Sequence, residues 1–533
     1  MPNNEIATGL SRRRLLRVGA RAFALTSAVG IAPRFLRPAF AASGLAPGMT
    51  GGPTGFAGSE RYQYDGSMPE GRAIEGIKKL KSAGKAPSKL VFQMSDGAIG
   101  QLTKAYPADG PTVKETWEKE TGIEIEIVGA ASGQEFTKVM QDISTKAGAF
   151  DIYQTEWNRV GDLAEAGGLF KLDDLVAQYK PEWDDPKRGY VGGRQGVTLL
   201  NTYKGTYYAV SLDGDFQCWI YRKDLFEDKA ENENFKAKFG RDLAFPETWD
   251  ELDEVAGFFH RPDKGLFGCT DLRNQGWGYT NWYQRYCSMA EPNQFLFDAT
   301  TAKPLINSAA GVKAARGYAD SLKYHSPDAI SWGWPEQYGN MGGAGAAITC
   351  AFSNMPKFLD NSATKVGGKL ASALPPGAKI GDKLVRRSVL WFNEMAMVSS
   401  QSKYPEASYL FLQWLGSSRI FSWLSANPAG YFDPFQLANL DDPLVIETYK
   451  PYHVPIIRET IKRAVPTINY AGAGSFHGAL DENLVAVLTK NSTPEEAMEK
   501  TEKSWNQTIR KIGADKMVAA IQGGLPAWPT VID

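Results

Sequence analysis

The chain has 533 residues, 43% hydrophobic and 12% aromatic, more than one ordinary core needs, and predicts two lobes of roughly 150 to 250 residues each. Its formal net charge is -1, and because the first 41 residues hold seven arginines against one glutamate, the remainder carries about -7, which argues against nucleic acid as a partner. Past residue 41 no run approaches the roughly 18 apolar residues of a membrane span, and the four cysteines lack the C-x-x-C spacing of a zinc site, so no metal or other cofactor is expected.

In chain order, Ser11-Arg12-Arg13-Arg14-Leu15-Leu16-Arg17 resembles the twin-arginine export motif. The apolar segment Val18 to Ala32 follows, interrupted by Arg21, and Ala39-Phe40-Ala41 supplies a small-x-small cleavage site. Residues 1–41 are therefore read as a twin-arginine signal peptide and the mature protein as periplasmic, with no cysteine near the cleavage site to carry a lipid. Residues 42–86, rich in Gly, Pro, Ser and Lys, read as a flexible arm with one short helix near Ile74 to Leu80.

From Lys89 the pattern changes. Strand Leu90-Val91-Phe92, helix Thr112 to Glu120, strand Ile123 to Ile127, helix Glu135 to Thr145 and strand Asp151-Ile152-Tyr153 alternate as in a doubly wound α/β lobe. Ligands bind beyond the carboxyl ends of such strands, which makes Asp96 and the run Thr155, Glu156, Trp157 and Asn158 candidates. Tyr207 to Val210 and Phe216 to Tyr221 are two strand-prone runs around the turn Asp213-Gly214-Asp215, read as a chain crossing between lobes with Gly214 as its flexible point.

A second lobe then holds the helix Thr248 to Phe259 and the aromatic region Trp277 to Tyr286, where Trp282 is a candidate. Trp332-Gly333-Trp334-Pro335 is expected to put at least one indole on a loop. Gly342 to Thr349 leads into a strand, Pro375-Pro376-Gly377 marks a return to the first lobe, and Trp391 to Val398 with the helix Pro405 to Leu415 completes the first sheet. A third crossing is expected at Asn427 to Pro434, with helices at Asp481 to Leu488 and Pro494 to Ile512 finishing the chain. Cys269 and Cys287 leave a disulfide and two buried thiols both open.

Tyr221-Arg222-Lys223-Asp224-Leu225, followed by Phe245-Pro246-Glu247-Thr248-Trp249-Asp250-Glu251-Leu252, resembles the first lobe crossing of the bacterial extracellular solute-binding proteins of the maltose-binding type, and the resemblance runs with gaps from about Lys89 to about Leu488. It implies an α/β, two-lobed periplasmic binding protein fold with three interlobe crossings. The lobes would comprise residues 87–213 with 375–426 and residues 214–374 with 427–533. It also implies that Asp215 and Asn158 hydrogen-bond sugar hydroxyls, that Phe352 is a cleft aromatic at the end of its strand, and that Phe476 or His477 stands near the family's late tryptophan, which is absent here. A carboxylate accepts from two adjacent hydroxyls, and an indole such as Trp157, Trp332, Trp334 or Trp391 stacks on a sugar face.

Asp213 and Asp215 could also be the carboxylate pair of a glycoside hydrolase. However, no nucleophile, acid and base in named roles emerges, no G-x-S-x-G or phosphate loop occurs, and the four histidines are scattered. The expected function is capture of a small neutral solute, a sugar, oligosaccharide or polyol, by a monomeric non-enzyme that delivers it to ABC permease subunits in the inner membrane. The alternatives are a cationic solute such as a polyamine, or a secreted carbohydrate-active enzyme.

Overall fold

The computed structural model describes residues 44–533 except 132, 291–295, 391–393 and 429. The predicted signal peptide and the candidate Trp391 lie outside the described residues.

The fold is α/β with two lobes, each built on its own sheet. Sheet strands are β1 (Lys89–Ser95), β2 (Glu124–Ala130), β3 (Ile152–Glu156), β4 (Ala209–Ser211), β5 (Gln217–Arg222), β6 (Phe267–Thr270), β7 (Ala346–Phe352), β8 (Leu370–Ala373) and β9 (Glu394–Val398). The first sheet has the order β2-β1-β3-β9-β4 and the second β8-β5-β7-β6. β1 runs parallel to β2 and β3, whereas β9 runs antiparallel to both β3 and β4. The start of β9 therefore lies at the same sheet edge as the carboxyl ends of β1 and β3. In the second sheet Gln217 pairs with Phe352, so the start of β5 lies beside the end of β7. Those five strand ends face the space between the lobes.

Local chemistry explains the helices that frame this layout. Thr112 and Thr248 each close a capping box, with Glu115 and Glu251 returning to the cap, so Val113–Thr121 and Trp249–Phe259 start where the sequence puts a Thr three residues ahead of a Glu. Of the run Trp332 to Pro335, Trp332 lies on a loop as expected, while Trp334 opens the helix Trp334–Gly342. Pro335 sits in its first turn, where a missing N–H costs nothing.

Three boundaries differ from expectation. Residues 44–86, read as a flexible arm, are packed: Phe56, Tyr62 and Trp423 form a stack, the Trp414 indole N–H donates to the Tyr64 hydroxyl at 2.7 Å, and Tyr64 also bonds Glu120. The apolar residues that a Gly- and Pro-rich composition obscured are buried in the first lobe's core, and the helix Pro69–Ser82 packs on Pro405–Leu415. The return to the first lobe does not occur at Pro375, because the hairpin Gly377–Ile380/Lys383–Arg386 stays with the second lobe, where the Gly377 N–H donates to the Glu247 carbonyl. Leu390 still pairs with Pro466 of the second lobe, and Glu394 already pairs with Glu156 in the first sheet. Finally, helices Leu437–Asp441 and Pro443–Tyr449 still pack on Ser418–Ala426, and Leu440, Val445 and Tyr449 belong to the first lobe's core, so the third passage is longer than Asn427 to Pro434.

All four cysteines are buried free thiols, and Cys269 and Cys287 belong to different core clusters, one around β6 and one around the helix Tyr279–Met289. Sequence proximity did not translate into spatial pairing.

Candidate functional site

The crossing 212–216 is the structural centre. The Leu212 N–H donates to the Glu394 carbonyl at 2.8 Å, and Phe216 bridges to Leu390, so the first and second crossings are joined. Asp213 Oδ1 accepts from its neighbour Gly214 N–H at 2.7 Å and from Asp433 N–H at 2.5 Å, which joins the first crossing to the third. Gly214 is required for a reason other than flexibility: a Cβ there would stand 2.6 Å from the Pro434 carbonyl oxygen.

Between the strand ends lies a cavity of about 140 Å³. The first lobe contributes Ser95, Gly97, Gly133, Glu135, Glu156 and Glu394; the second contributes Trp277, Trp334, Tyr338, Phe352, Asn354 and Phe358; Asp215 and Tyr431 come from the crossings. One wall is thus rich in carboxylates and the other in aromatic rings. Trp277 meets Phe352 at 85° and Trp334 meets Tyr338 at 77°, so the apolar wall has corners that can cradle a small ring or chain. Asn354 accepts from the Tyr338 hydroxyl at 2.6 Å and donates to the Tyr431 backbone carbonyl at 2.9 Å, which ties the Tyr338 ring to the third crossing.

The electrostatics are unusual. Asp213, Asp215 and Asp433 are buried and place one carboxylate oxygen each within 4.8 Å of one another. Burial, with Asp215 and Asp433 alongside, holds Asp213 well above the ordinary carboxylate range. Asp215 is pushed up by burial and by Asp433 and Glu394, and Asp433 by burial to about 6. Asp433 keeps partners in Ser353 and in the Tyr449 hydroxyl, 2.7 Å away. Glu394 is raised by burial and by Glu156 and Glu135. The cation Lys357 is buried among Ser425 and Tyr449, and burial lowers it to about 8.

Of the residues singled out from sequence, Glu156, Asp215, Trp334 and Phe352 line this cavity. The others do not. Asp96 is exposed beside Gly129, where its carboxylate occupies the space a Cβ would need. Thr155 is buried and donates to Glu156 at 2.9 Å. Trp157 is core, its indole N–H bound to the Leu199 carbonyl at 3.2 Å, and Asn158 is buried outside the lining. Asp213 pins the crossings. Trp282 is core, stacked on Tyr286 with its N–H on the Gly311 carbonyl, and Trp332 lies on the loop before its helix without reaching the cavity. Phe476 packs between Phe297 and Trp505, and His477 stacks on Tyr279, its imidazole lowered to about 3 by burial. Both lie in the first turns of the helix Ala473–Leu488 rather than on a loop, and Phe476 belongs to the second core.

Glu394, Glu135, Tyr338 and Tyr431 were missed. Tyr338 was findable, standing four residues after Trp334 on one helix face. Glu394 was not, because its place depends on β9 running antiparallel.

The lobes also touch at the rim. The Gly472 N–H donates to Asp162 Oδ1 at 2.8 Å, and a Cβ on Gly161 would stand 2.7 Å from the Asn469 carbonyl oxygen, so glycine at 161 permits the approach seen here.

A model of the bacterial extracellular solute-binding proteins matches residues 99–419. The mannitol-binding protein of Pseudomonas aeruginosa is 26% identical over 349 residues, 62% of this chain and 70% of that one. A probable amino-acid ABC transporter periplasmic-binding protein of Sinorhizobium fredii is 23% identical over 422 residues, 75% of this chain and 87% of that one. Among solved structures, an ABC transporter solute-binding protein of Agrobacterium radiobacter K84 in complex with ribitol superposes with a TM-score of 0.64 at 20% identity, covering 79% of this chain and 98% of that one.

Proposed function

Because the chain belongs to the bacterial extracellular solute-binding proteins, we propose that its interlobe cavity captures a polyol or a single sugar unit in the periplasm and delivers it to the permease of an ABC transporter. The observation that carries this reading is the two-walled cavity, with aromatic faces opposite hydroxyl-accepting carboxylates. Its volume of about 140 Å³ is near the ~150 Å³ that admits a benzene ring, room for one six-carbon unit rather than an oligosaccharide. The relatives named for mannitol and ribitol point the same way. We read the protein as a monomer and a non-enzyme; Asp213, the first of the carboxylate pair, accepts from backbone amides and is not among the residues lining the cavity, which speaks against a hydrolase pair there.

A thermal-shift series with D-mannitol, ribitol, D-glucose and maltose tests this. A native-state ligand at a hundred times its Kd adds about 2.7 kcal/mol of stability. D-Mannitol or ribitol should raise the melting temperature by more than maltose does, and no response to any sugar or polyol would sink the reading. Gly161→Ala should weaken whichever of these binds, because closure must then absorb a steric overlap of about 1–3 kcal/mol. The ligand-free protein should melt no lower, since alanine favours the helix Val160–Glu165. Calorimetric titration beside melting curves reads both.

Export follows the twin-arginine route, on the reading of Ser11 to Ala41. Replacing Arg12 and Arg13 together by lysine should leave the precursor in the cytoplasm, and normal periplasmic accumulation in a cell fractionation would refute it.

A further inference from the structure

We propose that the solute is not neutral: the cavity is built for a polyol or sugar that carries a protonated amine. This rests on the polyol or sugar reading above and narrows it to amino polyols and amino sugars.

Three observations on the cavity converge. First, Glu135, Glu156, Asp215 and Glu394 all line it, and among the described lining residues none is Lys, Arg or His. Asp213 and Asp433 stand directly behind Asp215. Two nearby cations answer part of this set, Arg159 beside Glu156 and Lys357 near Asp433 and Asp213, while among the described residues Glu135, Asp215 and Glu394 have no salt-bridge partner. Arg159 Nε approaches Glu156 at 3.7 Å and its guanidinium lies 4.7 Å over the Phe136 ring, while Lys357 donates to the Ser425 carbonyl at 3.1 Å. A neutral hydroxylated ligand would leave this excess of acids without a counter-charge; an ammonium group supplies it.

Second, a buried acceptor on the lining is left over: Glu394 Oε2 has no hydrogen-bond partner. An ammonium offers three donors and no acceptor, which matches a pocket short of donors. Third, the opposite wall is aromatic, with Trp334, Tyr338 and Phe358 meeting at 77° and 55°. Ring faces attract a cation as well as a sugar's C–H face, so the wall serves both parts of an amino polyol.

Matched pairs decide the matter by calorimetric titration near neutral pH: D-glucitol against 1-amino-1-deoxy-D-glucitol, and D-glucose against D-glucosamine, with N-acetyl-D-glucosamine as the uncharged control of larger size. In at least one pair the amine should bind tenfold or more tighter than its neutral partner, and N-acetylation should remove that gain. Glu394→Gln should cut the amine-to-neutral ratio by about tenfold, whereas a merely structural role would weaken both members alike. Equal binding within both pairs overturns the proposal and leaves the polyol reading standing. Binding of putrescine alone overturns both, since it would show charge recognised without hydroxyls. Stabilisation by calcium with no response to any amine also overturns it, assigning the carboxylates to a metal ion.

Discussion

Asp215→Asn should weaken binding of the solute by roughly tenfold to a hundredfold while making the ligand-free protein more stable. The first effect follows from the position of Asp215 at the cavity wall, at the start of the strand that ends the first crossing. Leaving a buried hydrogen-bonding group unsatisfied costs about 1–3 kcal/mol, and asparagine keeps the shape but offers one acceptor oxygen in place of two. The second follows from crowding, because Asp215 shares its surroundings with Asp213, Asp433 and Glu394. Its folded-state value is raised, so the folded chain holds that proton to higher pH than the unfolded chain does. Its contribution is full below the unfolded carboxylate range, about 4, and is lost as pH rises through the raised value. The stability gap between Asp215→Asn and wild type should therefore widen in the variant's favour as pH is raised above about 4 toward the raised value of Asp215. Urea unfolding at a series of pH values, with titrations at neutral pH, checks both halves. Unchanged affinity would relegate this turn to a hinge, with Glu156 the next acid to examine.

Arg273→Ala should produce the largest loss of stability, about 3–5 kcal/mol, the usual effect of stranding one partner of a buried ion pair. Arg273 and Asp271 are 1% and 2% exposed. Arg273 Nη2 donates to Asp271 Oδ2 and to Ser321 Oγ, each at 3.0 Å, its Nη1 bonds the Tyr318 carbonyl, and its guanidinium lies 4.3 Å over the Tyr318 ring. His325 Nε2 approaches the same carboxylate at 2.7 Å. The group ties the end of β6 to the helix Ala309–Asp320 and so holds the second lobe together. Burial opposes the charge of Asp271, yet Arg273 and His325 beside it hold its value well below the ordinary range. That carboxylate therefore contributes stability above its unfolded value, which is lost as pH falls through the depressed one. The double variant Asp271→Leu with Arg273→Met should recover most of the loss, because an apolar pair leaves no orphaned charge. Chemical unfolding of the three proteins measures this, and a loss under 1 kcal/mol for Arg273→Ala would contradict it.

Much of the architecture was legible because it is local. The helices Glu135–Thr145 and Pro405–Leu415 appear at their expected bounds, and the crossing through Asp213-Gly214-Asp215 declared itself by two strand-prone runs about an acidic turn. The site was less legible, since it is made where strand ends from distant parts of the chain converge. Glu156, Asp215 and Phe352 stand at or beside strand ends that the pattern could place. Trp157, Trp282 and Phe476 illustrate the converse: an aromatic residue near a strand end reads alike whether it faces the cleft or the core, and burial alone decides. Asp271 and Arg273, two residues apart on a loop, carried no sign that both would be enclosed.

The packed N-terminal segment has a consequence for the order of events during synthesis. Tyr64 meets Trp414, 350 positions later, and Tyr62 donates to Asp442, 380 positions later. Residues that leave the ribosome early must wait for partners made near the end, and at roughly 5–20 residues per second that wait is on the order of 20–80 s. Contacts of such long sequence separation form late. The first lobe therefore cannot be finished until Asp442 has been made, and a nascent chain held by its amino end would be held by a segment that packs only after most of the chain has been translated.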